Sequence, residues 1–207
     1  MTTFFIVRHG ETLLNQLGRA QGWSDSPLTE KGIADAKELG RELRDIPFSG
    51  AYSSDTIRAR TTCELILGES CSDAVAVAED CRLREWCLGS MDAELNARFI
   101  QTLSDWLEGD FSLKDMNQYL SKIADAIFEN DETGMAQPFS EIEERLTSAL
   151  KGIAQDYESD NVLVVTHAFV IKTLLFLFAP DKLHAIEKIS NTDIFQLHYE
   201  DGVFRFA

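Results

Sequence analysis

Two short runs of uninterrupted apolar residues, Phe4-Phe5-Ile6-Val7 and Val162-Leu163-Val164-Val165, each give way to polar ones, Arg8-His9-Gly10 in the first case and Thr166-His167 in the second. Unbroken runs of β-formers this short fit central strands covered on both faces. Gly50-Ala51-Tyr52-Ser53 reads as a further strand, with Ser54 or Asp55 available to cap a helix reaching about Leu67, and residues 74–78 read as another. Between the strands the period changes. Residues 30–44 place Ile33, Ala36, Leu39 and Leu43 on one helical face, and residues 141–157 turn Ile142, Leu146, Ala149, Leu150 and Ile153 inward behind a Ser140/Glu143 capping box. Strand and helix alternate, which predicts an α/β fold, a three-layer α/β/α sandwich around a mostly parallel central sheet. Residues 194–199 and 203–206, joined through Asp201-Gly202, read as a closing hairpin.

Residues 91–137 break the rhythm, with helical pattern around 95–107 and 116–128 and no convincing strand. They read as a helical cap inserted within a single domain spanning residues 1–207, placed to cover the C-terminal edge of the sheet, where α/β proteins bind ligands. Phe99, Trp106, Leu107, Met116 and Phe128 are its apolar positions, available either for packing or for lining a pocket. The apolar stretch 162–179 is interrupted by His167 and Lys172 and changes from β-branched to Leu- and Phe-rich halfway along, so it fits a buried strand running into a buried helix better than a membrane span.

Composition narrows the class. The chain has 207 residues, 44% of them hydrophobic, enough for a folded core without metal or disulfide staples. Nineteen Lys and Arg against thirty-five Asp and Glu leave a formal charge of -16. A surface this acidic repels phosphate backbones and anionic lipid, which argues against nucleic-acid and membrane partners. The N-terminus has no basic segment followed by an apolar stretch. Cys63, Cys71, Cys81 and Cys87 lack zinc-ligand spacing, which suggests reduced thiols in a cytoplasmic protein with no metal site. Composition sets no oligomeric state.

If the sheet is parallel, three strand ends converge on one edge, bringing Arg8 and His9, the segment 54–58 with Arg58, and His167 together. Two guanidinium forks and two imidazoles make a cationic pocket in an acidic protein, and paired N–H donors of this geometry suit the oxygens of a phosphoryl group. Helix N-termini after His9 and His167 would add backbone donors.

The run Arg8-His9-Gly10-Glu11-Thr12, with Asn15 and then Gln21-Gly22-Trp23-Ser24-Asp25-Ser26-Pro27-Leu28-Thr29, resembles the signature of the histidine phosphatase superfamily, in the branch that includes the phosphoglycerate mutases. Ser53-Ser54-Asp55 with Arg58-Ala59, Leu83-Arg84-Glu85 with Gly89, and Thr166-His167 resemble its further motifs in the same order. The resemblance implies His9 as nucleophile, Arg8, Arg58 and a protonated His167 holding the phosphate, Glu85 as the acid that protonates the leaving group, and Asn15, Gln21 and Gly22 at positions contacting phosphate or substrate. It implies no cofactor. Two departures stand out, Ala168-Phe169 where many relatives have glycine after the second histidine, and Leu88-Gly89-Ser90-Met91-Asp92 in place of a tryptophan-containing ending.

The expected activity is hydrolysis of a small phosphorylated metabolite through a phosphohistidine. A cofactor-dependent mutase is the alternative, although it would need extra cations in the insertion, where residues 91–140 hold ten acids against Arg98, Lys114 and Lys122. A non-catalytic binder of a phosphorylated ligand or protein is the third reading.

Overall fold

The computed structural model describes residues 1–109 and 115–207. In chain order the elements are β1 (Thr2–Arg8), α1 (Leu13–Gln16), α2 (Glu30–Glu42), β2 (Gly50–Ser53), α3 (Ile57–Gly68), β3 (Val77–Glu79), α4 (Asn96–Trp106), α5 (Leu120–Asn130), α6 (Phe139–Asp156), β4 (Asn161–Thr166), α7 (Ala168–Phe178), α8 (Pro180–Ala185), β5 (Ile194–Glu200) and β6 (Val203–Phe206). They form a six-stranded sheet in the order β3-β2-β4-β1-β5-β6, flanked by helices. The β3, β2, β4 and β1 neighbours pair in parallel, while β5 and β6 add an antiparallel edge.

Alternation along the central strands sorts their side chains into two cores. Phe4, Ile6, Val162 and Val164 join the larger one with residues of α5, α6 and α7, whereas Phe5, Val7, Leu163 and Val165 meet Leu39 of α2 and Ile66 of α3 on the opposite face. Both faces are therefore covered, which explains the absence of polar positions within either run. Residues 162–179 divide as the strand β4 and the helix α7. No helix among the described residues is long and apolar enough to cross a membrane.

Several local expectations change. The Ser140/Glu143 capping box does not form. Pro138 is the N-cap of α6, and Asp125 of α5 accepts from the Phe139 N–H at 2.8 Å instead, so a tertiary neighbour replaces the local cap. Likewise α3 begins after Thr56, whose own side chain does not cap it: Ser54 bonds within its loop, Asp55 is drawn to Arg84, and Asp25 from the preceding loop accepts from the Ile57 N–H at 2.5 Å. Strand β3 lies later than residues 74–78, since a turn bonds Val75 to Ser72. Ile33 is 38% exposed, and the inward stripe of α2 is carried by Gly32, Ala36, Leu39 and Gly40. In the 91–137 region α4 and α5 match the two helical patterns, but Phe128 is exposed. Lys114 lies outside the described residues.

Gly32 has a specific reason to be glycine. A Cβ there would sit 2.2 Å from the carbonyl oxygen of Glu11, two residues after His9, and one on Gly10 would meet the Gly32 carbonyl at 2.7 Å. The first turn of α2 thus touches the backbone of the loop behind His9. Gly32→Ala should cost about 1–3 kcal/mol through overpacking, whereas Gly68→Ala, with open space around it, should be neutral or slightly stabilising. Thermal unfolding of the two variants checks this, and equal melting temperatures would mean that the Glu11 loop yields freely.

Candidate active site

Register sets the site. Arg8 lies opposite Thr166 in the β1–β4 ladder, and the ladder continues past both strands with the His9 N–H donating to the Thr166 carbonyl at 2.9 Å. His9 and His167 therefore leave the same edge side by side, their rings 5.2 Å apart at 62°. On the other side of β4, Ser54 bonds Val165, so α3 starts at this edge and delivers Arg58 from its first turn.

His9 is buried, and its Nδ1 lies 2.8 Å from the Gly10 carbonyl oxygen. A carbonyl only accepts, so Nδ1 carries the hydrogen and the Nε2 lone pair is left free. Burial first, then the positive charges of Arg58 and Arg8, hold its pKa well below the ordinary value. The ring is therefore neutral, with Nε2 free to act as an electron-pair donor.

Arg58 is 0% exposed and organises the surroundings. Its two terminal nitrogens donate to the carbonyls of Ser24 (2.8 Å) and Gly22 (2.7 Å), to Asp25 (3.2 Å) and to Nδ1 of His167 (3.1 Å). Because Nδ1 of His167 accepts, its hydrogen sits on Nε2. Burial, followed by Arg58, pushes the His167 pKa well below the ordinary value. The expected cationic His167 is thus replaced, in the free site, by a neutral ring offering one N–H. Arg8 donates from one terminal nitrogen to the Ile189 carbonyl. Burial lowers its pKa to about 10, so it stays charged at neutral pH.

Among the described residues, four buried side-chain nitrogen or oxygen atoms have no hydrogen-bond partner, and three of them are Nε of Arg8, Nε of Arg58 and Nε2 of His167. A buried donor without an acceptor costs about 1–3 kcal/mol. These three open donors belong to residues that all neighbour His9, and an anion with several oxygens is the kind of ligand that could take them up.

Glu85 stands at the same cavity, buried and held by three backbone N–H groups. Trp86 and Val170 donate to Oε1 (3.0 and 3.1 Å) and Phe169 donates to Oε2 (3.0 Å). One lone pair on Oε2 remains to carry a proton. Burial raises the pKa more than these bonds and the charges of Arg58 and Arg8 lower it. The Phe169 and Val170 donors at the start of α7, expected to meet an anion, are spent on Glu85. After His9 the chain makes only the four-residue α1, capped by Thr12.

A cavity of about 210 Å³ opens here, lined by Arg8, His9, Asn15, Gln21 and Glu85 among others, with Phe99, Met116 and Phe169 as an apolar wall. Of the insertion's apolar positions, Phe99 and Met116 reach it and Trp106, Leu107 and Phe128 do not. Arg58 and His167 do not line this cavity; both are fully buried next to His9, within reach of its ring. Gly22 does not face the cavity either: its carbonyl holds Arg58 and its N–H donates to Asp92 at 2.9 Å, while Asp92 also binds Ser24. The divergent segment 88–92 therefore supplies the carboxylate that shapes the loop around Arg58. Gln21 spends its amide within the loop, on Thr12 and Ser26. The side-chain Oδ1 of Asn15 accepts from the Asn191 amide, which also donates to the backbone carbonyl of His9.

Three residues at or near the site escaped the sequence reading. Asn191 lies in a polar loop and carries no local signal. Arg145 donates to the carbonyls of Arg82, Arg84 and Glu85, clamping the loop that presents the acid. A charge three residues after Ile142, on the inward stripe of α6, was the available signal. Lys172 lines the cavity, and a lone lysine in an apolar helix was its signal.

The model of the histidine phosphatase superfamily, branch 1, matches residues 4–207. The chain belongs to the histidine phosphatase superfamily. Its relatives are named as phosphatases and as mutases, and it is an enzyme of that superfamily. A protein from Erwinia tasmaniensis named probable phosphoglycerate mutase GpmB is 31% identical over 84% of this chain and 74% of that protein. The metal-independent phosphoserine phosphatase of Arabidopsis thaliana is 29% identical over 97% of this chain and 78% of that one. The crystal structure of a phosphoglycerate mutase from Bacillus anthracis superposes with a TM-score of 0.92 at 30% identity, covering 100% of this chain and 91% of the other.

The two histidines make stability depend on pH. Their pKa values are depressed in the fold, so below about pH 6.5 the unfolded chain takes up protons that the folded protein does not, and stability falls as pH falls, by up to about 1.4 kcal/mol per pH unit for each ring. Glu85, raised in the fold, contributes with the opposite sign, its stabilisation fading as pH rises above its ordinary value. Urea unfolding between pH 7 and 5 should show this loss, and His167→Asn should reduce its slope. An unchanged slope would mean that His167 titrates normally in the fold.

Proposed function

We propose that the protein is a phosphomonoester hydrolase that acts on a small phosphorylated metabolite through a phosphohistidine on His9. The observation that carries this is the neutral His9, its Nε2 lone pair free, beside three buried N–H donors that lack an acceptor. A phosphoryl group supplies both what the lone pair attacks and what the donors need. As Nε2 bonds to phosphorus the ester P–O bond breaks, and Glu85 gives its Oε2 proton to the departing oxygen. Charge spread over the equatorial oxygens is met by Arg8, Arg58 and His167. Water then attacks phosphorus, Glu85 takes its proton, and the N–P electron pair returns to Nε2. Throughout, Nδ1–H stays on the Gly10 carbonyl, which keeps the phosphorylated ring cationic and therefore a good leaving group.

The mutase reading keeps one supporting observation: Arg19, Lys172 and Lys188 line the cavity beyond the phosphate donors. Against it, the two described cations of the insertion, Arg98 and Lys122, are engaged elsewhere. Arg98 is 74% exposed and paired with Glu94, and Lys122 lies over the Tyr119 ring. A phosphatase fits better, with a small metabolite as substrate and the cytoplasm as its place of action.

Acid-labile phosphate should appear on His9 after brief exposure to p-nitrophenyl phosphate, and His9→Ala should retain less than about a hundredth of the turnover. A fully active variant would remove the covalent route, and turnover without trapped phosphate would weaken it. With 3-phosphoglycerate and trace 2,3-bisphosphoglycerate, phosphate release should outpace isomerisation; the reverse order makes the protein a mutase. Glu85→Gln should lose about 10²–10⁴-fold on alkyl phosphates and less on p-nitrophenyl phosphate, whose leaving group scarcely needs a proton. Equal losses on both substrates would take the acid role away from Glu85.

A further inference from the structure

The turn that leads into β5 is bonded closely to Arg8 and His9. Arg8 donates its backbone N–H to the Asp193 carbonyl at 3.1 Å, accepts from the Thr192 N–H at 3.0 Å, and bonds the Ile189 carbonyl through its guanidinium. A side chain makes the next contact. Nδ2 of Asn191 donates to the backbone carbonyl of His9 at 3.0 Å and to Oδ1 of Asn15 at 3.1 Å. Backbone groups fix which amide atom is which: a carbonyl only accepts, so nitrogen faces His9, and Oδ1 of Asn15 also takes the Thr12 N–H at 3.3 Å, so oxygen faces Asn191. Both hydrogens of the Asn191 amide are spent on these two acceptors.

The turn holds this arrangement at a conformational cost. Thr192 has a φ of 61°, in the left-handed region, where a β-branched residue is seldom found. Strain of this kind persists where surrounding contacts impose it, and it gathers at functional sites. Here the contacts are the Thr192 N–H on the Arg8 carbonyl and the Thr192 hydroxyl on the Asn191 carbonyl at 2.6 Å. What Asn191 grips is the peptide between His9 and Gly10. Its carbonyl end takes the Asn191 amide, and its N–H end donates to the Thr62 hydroxyl of α3 at 2.9 Å, which in turn donates to the Arg58 carbonyl. The next carbonyl, that of Gly10, accepts from Nδ1 of His9 and so decides which ring nitrogen is left free. Glycine has the widest backbone freedom of any residue, so the direction of its carbonyl depends on what anchors the peptide before it.

We propose that Asn191 is a positioning residue for His9: by anchoring the His9–Gly10 peptide it keeps the Gly10 carbonyl on Nδ1–H and the Nε2 lone pair open. It acts through the backbone and not on the reacting nitrogen. Its consequence for rate rests on the phosphatase reading above, whereas its effect on the ring does not. A ring released from Gly10 exchanges its hydrogen between the two nitrogens and turns about its side-chain torsions, and misplacing a reacting group by about 1 Å costs roughly 10²-fold in rate.

Nitrogen NMR of protein labelled in its histidine rings reads the tautomer directly, with the His9 signals identified by their loss in His9→Ala. Near neutral pH, His9 of the wild type should be in the Nδ1–H form, and Asn191→Ala and Asn191→Asp should both show exchange with the Nε2–H form. Asp keeps the shape of the side chain but sets oxygens against two acceptors, so it tests donation and not bulk. With p-nitrophenyl phosphate in rapid quench, the rate constant for phosphate appearance on His9 should fall at least about tenfold in both variants. The amplitude, which counts folded sites, should stay near that of the wild type. A tautomer unchanged in both variants overturns the assignment. So does a rate constant within about threefold of the wild type at any amplitude, since lost folding alone lowers amplitude and leaves the rate constant of the surviving sites. Asn191→Asp matching the wild type in both measurements overturns it as well. Should the wild type form no phosphohistidine while its tautomer still depends on Asn191, the phosphatase reading fails and the positioning role stands.

Discussion

Parallel pairing of β1 with β4, in the register that sets Arg8 opposite Thr166, is the constraint on which the site depends. It brings two imidazoles from positions 158 residues apart to one edge at a ring separation of 5.2 Å. A slip of one residue would send every side chain of β1 to the opposite face, exchanging the two cores and turning His9 away from His167. Unbroken apolar character on both faces of these strands therefore does more than stabilise the sheet. It holds the His9 ring in place.

Around that edge the protein concentrates positive charge and withholds internal compensation. Arg58 is fully buried, yet Asp25 is its one ion-pair partner among the described residues, and its remaining bonds go to carbonyls and to His167. Each of those bonds turns a donor away from the cavity, and each leaves Nε unpartnered. Neutral carbonyls orient a guanidinium without neutralising it, so the site keeps its affinity for an anion. The chain as a whole carries a formal charge of -16, so this buried cationic centre stands against an acidic background.

Glu85 lives under opposing influences whose balance suits the acid role proposed for it. Burial favours the protonated acid, while three backbone N–H groups and two arginines favour the carboxylate. The first effect prevails, but the others keep the proton loosely held, as an acid that must give and then retake it requires. The same N–H groups fix the carboxyl against the start of α7, and Arg145 and Trp23 grip its backbone carbonyl. Position and protonation are thus set by the same contacts.

Much of this was readable along the chain. The alternation of strands and helices, the convergence of Arg8, His9, Arg58 and His167 on one edge, and the acid in Leu83-Arg84-Glu85 follow from local pattern and from motifs, because period and composition report which face of an element is covered. Other features depend on partners distant in the chain. The cap of α6 comes from Asp125 and not from Ser140. Donors at the start of α7 serve Glu85 and not a ligand. Gly22 and Asp92 shape the loop around Arg58, and His167 is neutral because burial and Arg58 outweigh its intrinsic basicity. Hydrogen-bond partners and desolvation belong to the packed state. They cannot be inferred from a residue's neighbours in sequence, and for this reason the residues that meet at the candidate site were legible while their protonation and supporting contacts were not.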